Sequence, residues 1–128
     1  MTLVVATHNG QFHADDVTAV ALVRTFLDPG ARIVRTRDPR LLDEADVVVD
    51  VGSVYDPSRR RFDHHQADYR GELSSAGMVL GALESEGRIT PALARRLREE
   101  LVDYVDAVDT GRSKPERGRP CLPSIVGM

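Results

Sequence analysis

The sequence predicts an α/β fold in which a mainly parallel, Rossmann-like sheet is flanked by helices. Short apolar runs rich in β-branched residues, typical of buried strands, alternate with longer segments that carry helix caps and helix stops. The chain has 128 residues, of which 41% are hydrophobic and 29% charged, and this suits a single globular domain. We therefore expect one folded domain over residues 1–111, followed by a basic C-terminal loop or tail over 112–128.

The beginning of the chain predicts a strand followed by a helix. Residues 3–6 form an apolar run that is too short for a helix and is typical of a buried strand. A polar loop follows, and Asp15 and Asp16 are candidate N-caps of a helix over 17–27. The Asp-Pro-Gly sequence at 28–30 should end that helix.

The middle of the chain predicts two more strands and two more helices. A strand is expected over 32–37 and a short helical turn over 39–44. The apolar run at 47–52 contains an aspartate and has the form of a central parallel strand. A turn is expected at 55–58, and small and hydroxyl-bearing residues then predict a helix over 74–86.

Thr90 and Pro91 predict the start of a long helix, because proline suits the first helical position. Apolar residues at helical spacing should form its buried face: Leu93, Leu97, Leu101, Val105 and Val108. Asp109 lies at the margin of this face and can point into the protein. Asp106 points almost directly away from it, so we expect Asp106 and Asp103 on the solvated face.

Composition excludes several classes of protein. Cys121 is the only cysteine, so neither an internal disulfide nor a cysteine-based zinc site can form. No apolar run approaches the roughly 18 residues that a membrane span requires, and we expect a cytoplasmic protein with no membrane partner. A net charge of −3 argues against a strongly basic nucleic-acid scaffold but leaves a nucleotide substrate open.

All histidines of the chain lie in two loops, which we expect at strand ends. They are His8, His13, His64 and His65. Asp15 lies beside the first pair, and Asp50 comes near the end of the third predicted strand. Because ligands bind at the carboxyl ends of parallel strands, we expect four of these side chains to converge: His8, His13, Asp15 and Asp50. A set of imidazoles and carboxylates suits a divalent ion, with Mn²⁺, Mg²⁺, Fe²⁺ and Zn²⁺ all candidates.

Asp50 has two interpretations. An aspartate that only caps a turn before Gly52 is the ordinary one. However, a bare carboxylate at the end of a strand covered on both faces would cost several kcal/mol. A metal ligand is therefore the favoured interpretation of Asp50.

The triplet at 63–65 also has two interpretations when it is considered alone. Its residues are Asp63, His64 and His65. A hydrogen-bonded histidine pair beside a salt-bridged aspartate would explain the triplet without any function. Its combination with the residues of the first loop and with Asp50 favours a functional site, because together these two loops use every histidine in the chain.

The predicted helix start at Ser74, Ser75 and Gly77 also has an ordinary interpretation, that of an N-cap, which is the more frequent one. The amides of a helix start can also bind phosphate oxygens. Since this start comes soon after the histidine pair, we predict these three residues as candidate phosphate ligands.

Five stretches of the chain resemble, in the same order, the motifs of the DHH phosphoesterase superfamily. They are THNGQFHADD at 7–16, ADVVVDVGSVYDP at 45–57, RFDHHQ at 61–66, LSSAGMV at 73–79 and DAVDTG at 106–111. In detail they are similar to the melanocyte-proliferating-gene family of DHH-like proteins, which is described as metal-dependent nucleases. Members generally continue into a second, substrate-binding domain, so the resemblance implies the N-terminal catalytic domain alone.

The resemblance implies two divalent ions, usually Mn²⁺, that share one aspartate. The implied ligands are His8, His13 and Asp50 for one ion, and Asp15, Asp50, His64 and Asp109 for the other. Asp50 would bridge the ions, and with His64 and His65 it would form the catalytic set. His65 would approach the substrate phosphate, and Asp63 would orient a ligand histidine.

The implied activity is exonuclease-like hydrolysis of phosphodiester bonds in nucleotides or short oligonucleotides by a metal-activated water. A small-molecule pyrophosphatase with the same site is an alternative, and so is a metal-binding regulatory module without turnover. A third is a mononuclear zinc hydrolase that uses only His8, His13 and Asp15. A second copy of the chain is a candidate partner that would complete the site. The basic runs at 59–61 and in the tail are more typical of a solvated surface than of phosphate contacts.

Overall fold

A computed structural model describes residues 2–114 and contains a five-stranded, mainly parallel sheet. The strands are β1 (Val4–Thr7), β2 (Arg32–Arg35), β3 (Val47–Val49), β4 (Tyr55–Asp56) and β5 (Arg61–Phe62). Their order is β2-β1-β3-β5-β4, with β4 antiparallel to β5 and the other pairs parallel. The predicted α/β class is confirmed. Most of the tail predicted over 112–128, with Cys121, lies outside the described residues.

The strands are connected and covered by helices. They are α1 (Ala14–Phe26), α2 (Pro39–Glu44), α3 (Ser75–Ser85), α4 (Pro91–Leu97) and α5 (Asp103–Asp109), with a 3-10 turn at Pro57–Arg59 and a π-helical turn at Arg98–Val102. The helices predicted over 39–44 and 74–86 are confirmed. Thr90 caps α4 as predicted, since its side chain accepts a hydrogen bond from the backbone N–H of Leu93. Between residues 2 and 114, no helix has the length and apolar character needed to cross a bilayer.

Alternate strand residues pack on opposite faces of the sheet. Val47 and Val49 of β3 belong to a large buried cluster with residues of α1, α3, α4 and α5. Val48 belongs to a smaller cluster on the other face, together with Val51 and with Leu42 of α2. The central strand is therefore covered on both faces, as its apolar sequence indicated.

The start of α1 differs from the prediction. The helix begins at Ala14 and is capped by His13, whereas Asp15 and Asp16 lie in its first turn. Asp16 occupies the third helical position, from which its side chain accepts a hydrogen bond from the backbone N–H of His13 at 2.8 Å. This is the acidic half of a capping box. The assignment of the two aspartates as N-caps was wrong, because in a capping box the acidic residue lies three positions after the N-cap, within the first turn of the helix.

The second and third strands are shorter than predicted. β2 ends at Arg35, and β3 ends at Val49 because Asp50 adopts a φ of 58°, a left-handed conformation that no strand accommodates. Gly52, with a φ of 93°, and Ser53, with a φ of 59°, continue the turn. The turn predicted at 55–58 contains β4 as well as the 3-10 turn. Asp50 is thereby placed at the carboxyl edge of the sheet rather than within a strand.

The long helix predicted after Thr90 is interrupted by the π-helical turn at Arg98–Val102. Such a turn is closed by i→i+5 hydrogen bonds, so it changes the direction in which all later side chains point. Leu93, expected in the core, precedes the turn and is 39% exposed, and Ala94 is the buried residue of α4. Asp106, expected in solvent, follows the turn and is only 2% exposed. The prediction for Asp106 was wrong for this reason, whereas Asp103 is exposed as predicted.

Candidate metal centre

Three neighbouring strands end at the same edge of the sheet and are followed by candidate ligands. His8 directly follows β1, Asp50 directly follows β3, and His64 lies two residues after β5. Since these strands are adjacent and parallel, their carboxyl ends bring the three side chains together. The first turn of α1 adds Asp15, and the end of α5 adds Asp109.

Two groups of side chains have ligand atoms within 4.8 Å of one another, and Asp50 belongs to both. They are His8, His13 and Asp50, and Asp15, Asp50, His64 and Asp109. We call these six side chains the His–Asp cluster. Asp50, His64 and His65 form a third, overlapping group. The two main groups coincide with the two ligand sets implied by the sequence motifs, and they place Asp15 with His64 rather than with His8.

His64 is surrounded by carboxylates. Its Nε2 atom lies 2.7 Å from Asp109 Oδ2, 3.2 Å from Asp15 Oδ2 and 3.7 Å from Asp50 Oδ1. Burial lowers the pKa of His64, but the close carboxylates of Asp109 and Asp15 outweigh burial and raise it to about 10. Without another cation nearby, the ring is therefore held as an imidazolium.

Asp50 and Asp15 are both buried, yet their surroundings shift their pKa values in opposite directions. Burial raises the pKa of Asp50 to about 9, and the negative charges of Asp15 and Asp109 act in the same direction. Burial also acts to raise the pKa of Asp15, but contacts with His64 and with the backbone N–H of Ala76 lower it to about 2. Asp15 is therefore ionised at neutral pH, whereas at Asp50 the nearby charge of His64 does not outweigh burial and the two carboxylates.

The side chains of the cluster fit a divalent cation. Three of their buried atoms, His8 Nε2, His64 Nε2 and Asp50 Oδ1, have no aligned hydrogen-bond partner among the described residues. A buried polar atom without a partner costs about 1–3 kcal/mol. These atoms are imidazole nitrogens and a carboxylate oxygen, which are the donors that a first-row divalent ion accepts. A cation among them would also offset the repulsion between the carboxylates.

Asp15 is held in place by the start of α3. Its Oδ2 atom accepts a hydrogen bond from the backbone N–H of Ser75 at 3.1 Å, and its Oδ1 atom accepts one from that of Ala76 at 2.7 Å. These amides belong to the first turn of a helix, where they have no partner within the helix and favour a negative charge. One helix therefore fixes the orientation of a carboxylate that another helix supplies.

Asp106 occupies the remaining amides of the same helix start. Its Oδ1 atom accepts hydrogen bonds from the backbone N–H groups of Ser74 at 3.0 Å and Gly77 at 3.2 Å, and from the Ser74 hydroxyl at 2.7 Å. Ser74 and Ser75 are completely buried. The amides at 74–77 thus bind carboxylates of the chain itself, in place of the phosphate expected at Ser74, Ser75 and Gly77.

Gly77 permits this close approach of Asp106. A Cβ atom at position 77 would overlap the Asp106 carboxylate, so a larger residue would force Asp106 out of this position. Sequence reasoning missed Asp106 because the helical wheel assumed regular α-helix throughout. A small residue at a helix start was visible in the sequence, but nothing there linked Gly77 to a residue in another helix.

We expect Asp106→Asn to flatten the pH dependence of stability between about pH 4 and pH 6. Burial raises the pKa of Asp106 from 3.8 to about 6, so the folded protein retains a proton that the unfolded chain releases. The stabilisation that this proton gives the folded protein is complete below pH 4. Up to roughly 3 kcal/mol of it is lost as the pH rises through 6. Asparagine keeps an acceptor oxygen for all three hydrogen bonds but does not titrate.

Urea unfolding of the chelator-treated protein at several pH values measures this effect. The difference in free energy of unfolding between Asp106→Asn and wild type should grow in favour of the variant as the pH rises through this range. Two parallel profiles would show that Asp106 has an ordinary pKa.

Asp63 connects the Asp50 turn to the histidine pair. Its Oδ2 atom accepts a hydrogen bond from the backbone N–H of Ser53 at 2.7 Å, and its Oδ1 atom accepts one from that of His64 at 2.8 Å. The same Oδ1 atom lies 2.6 Å from His65 Nδ1. Asp63 therefore contacts the ring of His65 and not that of His64, and its charge raises the pKa of His65.

Asp16 is a member of the site that sequence reasoning did not select. It is 2% exposed, and its Oδ2 atom lies 3.2 Å from His8 Nε2. Its Oδ1 atom holds the N–H of His13, so one carboxylate contacts two residues of the same candidate ligand set. The acidic residue three positions after His13, typical of a capping box, was the signal that could have identified it.

A cavity of about 370 Å³ opens over the cluster. Its walls include His8, His13, Asp50 and His65. Arg37, which lies between β2 and α2, also lines it. This volume lies within the range of small-ligand sites. A substrate can therefore reach the cluster from the carboxyl edge of the sheet.

The fold and the site define a class, that of α/β proteins with a candidate metal centre at the carboxyl edge of a parallel sheet. Within that class, sequence comparison is specific. The chain belongs to the MYG1_exonuc family, described as an uncharacterised protein family (UPF0160), whose sequence model matches residues 4–123.

Relatives with similar sequences come from bacteria and animals. The chain is 47% identical to the MYG1 protein of Chlamydia trachomatis over 123 residues, which are 95% of this chain and 43% of the relative. It is 40% identical to the MYG1 exonuclease of Bos taurus and 39% identical to that of Homo sapiens, each over 142 aligned residues. These alignments cover 91% of this chain, and 37% and 38% of the two relatives. The chain thus spans about two fifths of the length of these relatives. No solved structure matches the chain.

Proposed function

We propose that this chain carries the metal-dependent hydrolytic site of an exonuclease-like enzyme, which cleaves phosphodiester bonds in nucleotides or short oligonucleotides. The observation that carries the proposal is that one buried carboxylate, Asp50, belongs to both possible ligand sets. A carboxylate shared in this way would hold two ions close enough for both to act on one phosphate. The related proteins from Bos taurus and Homo sapiens are named MYG1 exonuclease, which supports a nucleic-acid substrate.

Two divalent ions, with Mn²⁺ preferred, would be held by nitrogen and oxygen ligands of the His–Asp cluster. The proposed ligand sets are His8, His13 and Asp50 for one ion, and Asp15, Asp50, His64 and Asp109 for the other. When bound, the ions lower the pKa of a water molecule and neutralise negative charge on the phosphoryl oxygens. This is the chemistry of the DHH phosphoesterase superfamily, whose motifs the sequence resembles.

Residues around the cluster keep its ligands in place. Asp15 is bound by two amides of α3 and keeps its orientation and its charge. Asp16 contacts His8 and the backbone of His13, and thereby fixes the loop that contributes both histidines. Partners of this kind raise the affinity of a metal site because its ligands need not be reoriented on binding.

His65 is the proposed phosphate-binding residue. Its side chain is 56% exposed and lines the cavity over the cluster. Asp63 engages Nδ1 and raises the pKa of the ring, which favours the imidazolium form. With Nδ1 occupied, the Nε2–H group is left to donate a hydrogen bond to a phosphoryl oxygen. In this proposal Asp63 positions His65, and His65 contacts the substrate.

Metal removal and restoration test the proposed function. After treatment with a chelator, the protein should not cleave a short single-stranded oligonucleotide, and added Mn²⁺ should restore cleavage. Metal analysis should find two ions per chain, since Asp50 serves both sets.

Other outcomes would identify the alternatives. If Mn²⁺ raises the thermal stability but neither oligonucleotides nor pyrophosphate are cleaved, the chain is a binding module. If pyrophosphate is cleaved and oligonucleotides are not, the substrate assignment is wrong. A single tightly bound ion per chain would contradict the bridging role of Asp50.

A further inference from the structure

We propose that a second cavity, lined by Arg37 and Arg59, binds the nucleotide unit next to the scissile phosphate. This inference rests on the proposed function, because it assigns a substrate position beside the same metal centre. We call this space the arginine cavity. It has a volume of about 380 Å³, which is sufficient for one small ligand unit.

The arginine cavity adjoins the cavity over the His–Asp cluster. Arg37, Val51, Gly52 and Ser53 line both spaces. Between them runs the turn after β3, where Gly52 has a φ of 93° and carries no side chain. The shared lining places the two cavities side by side, so neighbouring units of one ligand can occupy both.

Two guanidinium groups in this cavity are available to a phosphate. The guanidinium of Arg59 makes no hydrogen bond or ion pair with any residue in the described range 2–114, and the carboxylate on which its charge acts belongs to Asp56, outside the lining of the cavity. Arg37 is exposed and uses only its Nε atom, which donates to Asn9 Oδ1 at 3.2 Å. Arg61 is different, since its guanidinium already donates to the backbone carbonyls of Arg59, Asp43 and Ala45. Arg61 therefore supports the wall, while Arg37 and Arg59 face the cavity as free donors.

The remaining wall of the arginine cavity is largely apolar. Pro39, Leu42 and Val54 contribute to it, and Val54 is 41% exposed. Arginines beside an aliphatic surface suit a ligand that has both an anionic and an apolar part. A nucleotide has both, whereas pyrophosphate has only charge. Asp43 is the acidic residue on this wall, and it leaves the arginines in excess.

The experiment measures binding separately from cleavage. A fluorescent, phosphorothioate-linked short oligonucleotide is titrated with the full chain in Mn²⁺, and anisotropy gives the Kd. Arg59→Glu and Arg59→Ala should weaken binding about tenfold or more, because a charge-assisted hydrogen bond to phosphate is lost. Arg59→Lys should retain part of the affinity. For Arg59→Ala, the slope of log Kd against log salt should fall by about 0.7, the value for one phosphate contact on a single strand.

Arg32→Glu is the matched control. Arg32 is exposed and begins β2 at the opposite end of the sheet from the cluster, so the same change of charge there should leave the Kd unchanged. If Arg59→Glu binds like Arg32→Glu, or if the wild type does not bind the oligonucleotide, the inference is wrong. Tripolyphosphate binding as tightly as the oligonucleotide, with the same dependence on Arg59, would overturn the nucleotide assignment.

Failure of the proposed function would look different. In that case the wild type would still bind the oligonucleotide through Arg59, but it would not cleave the phosphodiester-linked version with Mn²⁺. If instead the oligonucleotide is cleaved but its Kd does not depend on Arg59, only the role proposed for the arginine cavity is wrong.

Discussion

Replacing Asp50 with asparagine should abolish metal-dependent hydrolysis and, in the metal-free protein, raise the free energy of unfolding. The first effect follows from the position of Asp50 in both proposed ligand sets. A ligand shared by two ions contributes several kcal/mol to the transition state, so kcat/KM should fall about a thousandfold or more. The variant should also lose the two-ion stoichiometry measured by metal analysis.

The second effect comes from burial of the carboxyl group. Asp50 is 3% exposed and lies beside Asp15 and Asp109, and its pKa is raised from 3.8 to about 9. The folded metal-free protein therefore keeps a proton at Asp50 that the unfolded chain releases at neutral pH. Its contribution to stability is complete below pH 4 and is lost as the pH rises through 9. Asparagine does not titrate, so the variant should be more stable than wild type by about 2 kcal/mol or more at pH 8.

Urea unfolding in chelator at pH 5 and pH 8 measures this difference, which should be larger at pH 8. Asparagine is also suited to the φ of 58° at this position, so the backbone adds no strain. Asp68→Asn makes the same change at an exposed residue. It is the control, and it should alter neither stability nor activity. Activity that survives in Asp50→Asn would exclude the bridging role. Lower stability of the metal-free variant would show that the folded protein stabilises the ionised carboxylate of Asp50.

The same substitution at Asp15 should change stability in the opposite direction. Both oxygens of Asp15 accept hydrogen bonds, from the amides of Ser75 and Ala76, and its charge is paired with His64. Asparagine offers one acceptor oxygen, so one buried amide would face an NH₂ group. We expect Asp15→Asn to lower the free energy of unfolding by about 2–4 kcal/mol, the range for a broken buried charge contact.

The pH range of this effect follows from the pKa of Asp15, which is lowered to about 2. The stabilising contribution of the ionised carboxylate is complete above pH 4 and is lost as the pH falls through 2. Measurements in chelator at pH 7 therefore report its full value. Removal of the negative charge of Asp15 also reduces repulsion at Asp50. That gain is small at pH 7, since Asp50 is already protonated in the metal-free protein.

Asp15→Asn and Asp50→Asn form a matched pair. Both replace one buried carboxyl group of the same cluster by an amide of similar size, and both should abolish hydrolysis. Chemical unfolding should separate them, with opposite changes in stability relative to wild type. If both variants lose or both gain stability, the assignment of helix amides to Asp15 and of uncompensated burial to Asp50 is wrong.

The sequence was most informative where function depends on residues at strand ends. His8 and Asp50 were predictable as neighbours because short apolar strands place the residues that follow them at one edge. His64 was connected to them by the pattern of histidines and not by a predicted strand. Asp106 was not predictable, since its direction depends on a π-helical turn that no periodicity of apolar residues indicated. Strands β4 and β5 were missed because two residues are too few to show alternation.

Interactions between helices were also beyond the sequence. Ser74, Ser75 and Gly77 were correctly placed at a helix start, but the groups that occupy its amides come from α1 and α5. The arginines at 59–61 were interpreted as a uniform charged surface. The structure divides them, since Arg60 pairs with Glu86, Arg61 binds backbone carbonyls and Arg59 faces a cavity.

The contacts between Asp15 and the start of α3 have a consequence for how the protein folds. They join residues 60 and 61 positions apart in the chain, and the cluster itself extends from His8 to Asp109. These distant segments must come together, at a cost in chain entropy, before the ligands can meet. A short fragment of the chain therefore cannot form the cluster. We therefore expect a bound divalent ion to slow unfolding rather than to speed folding.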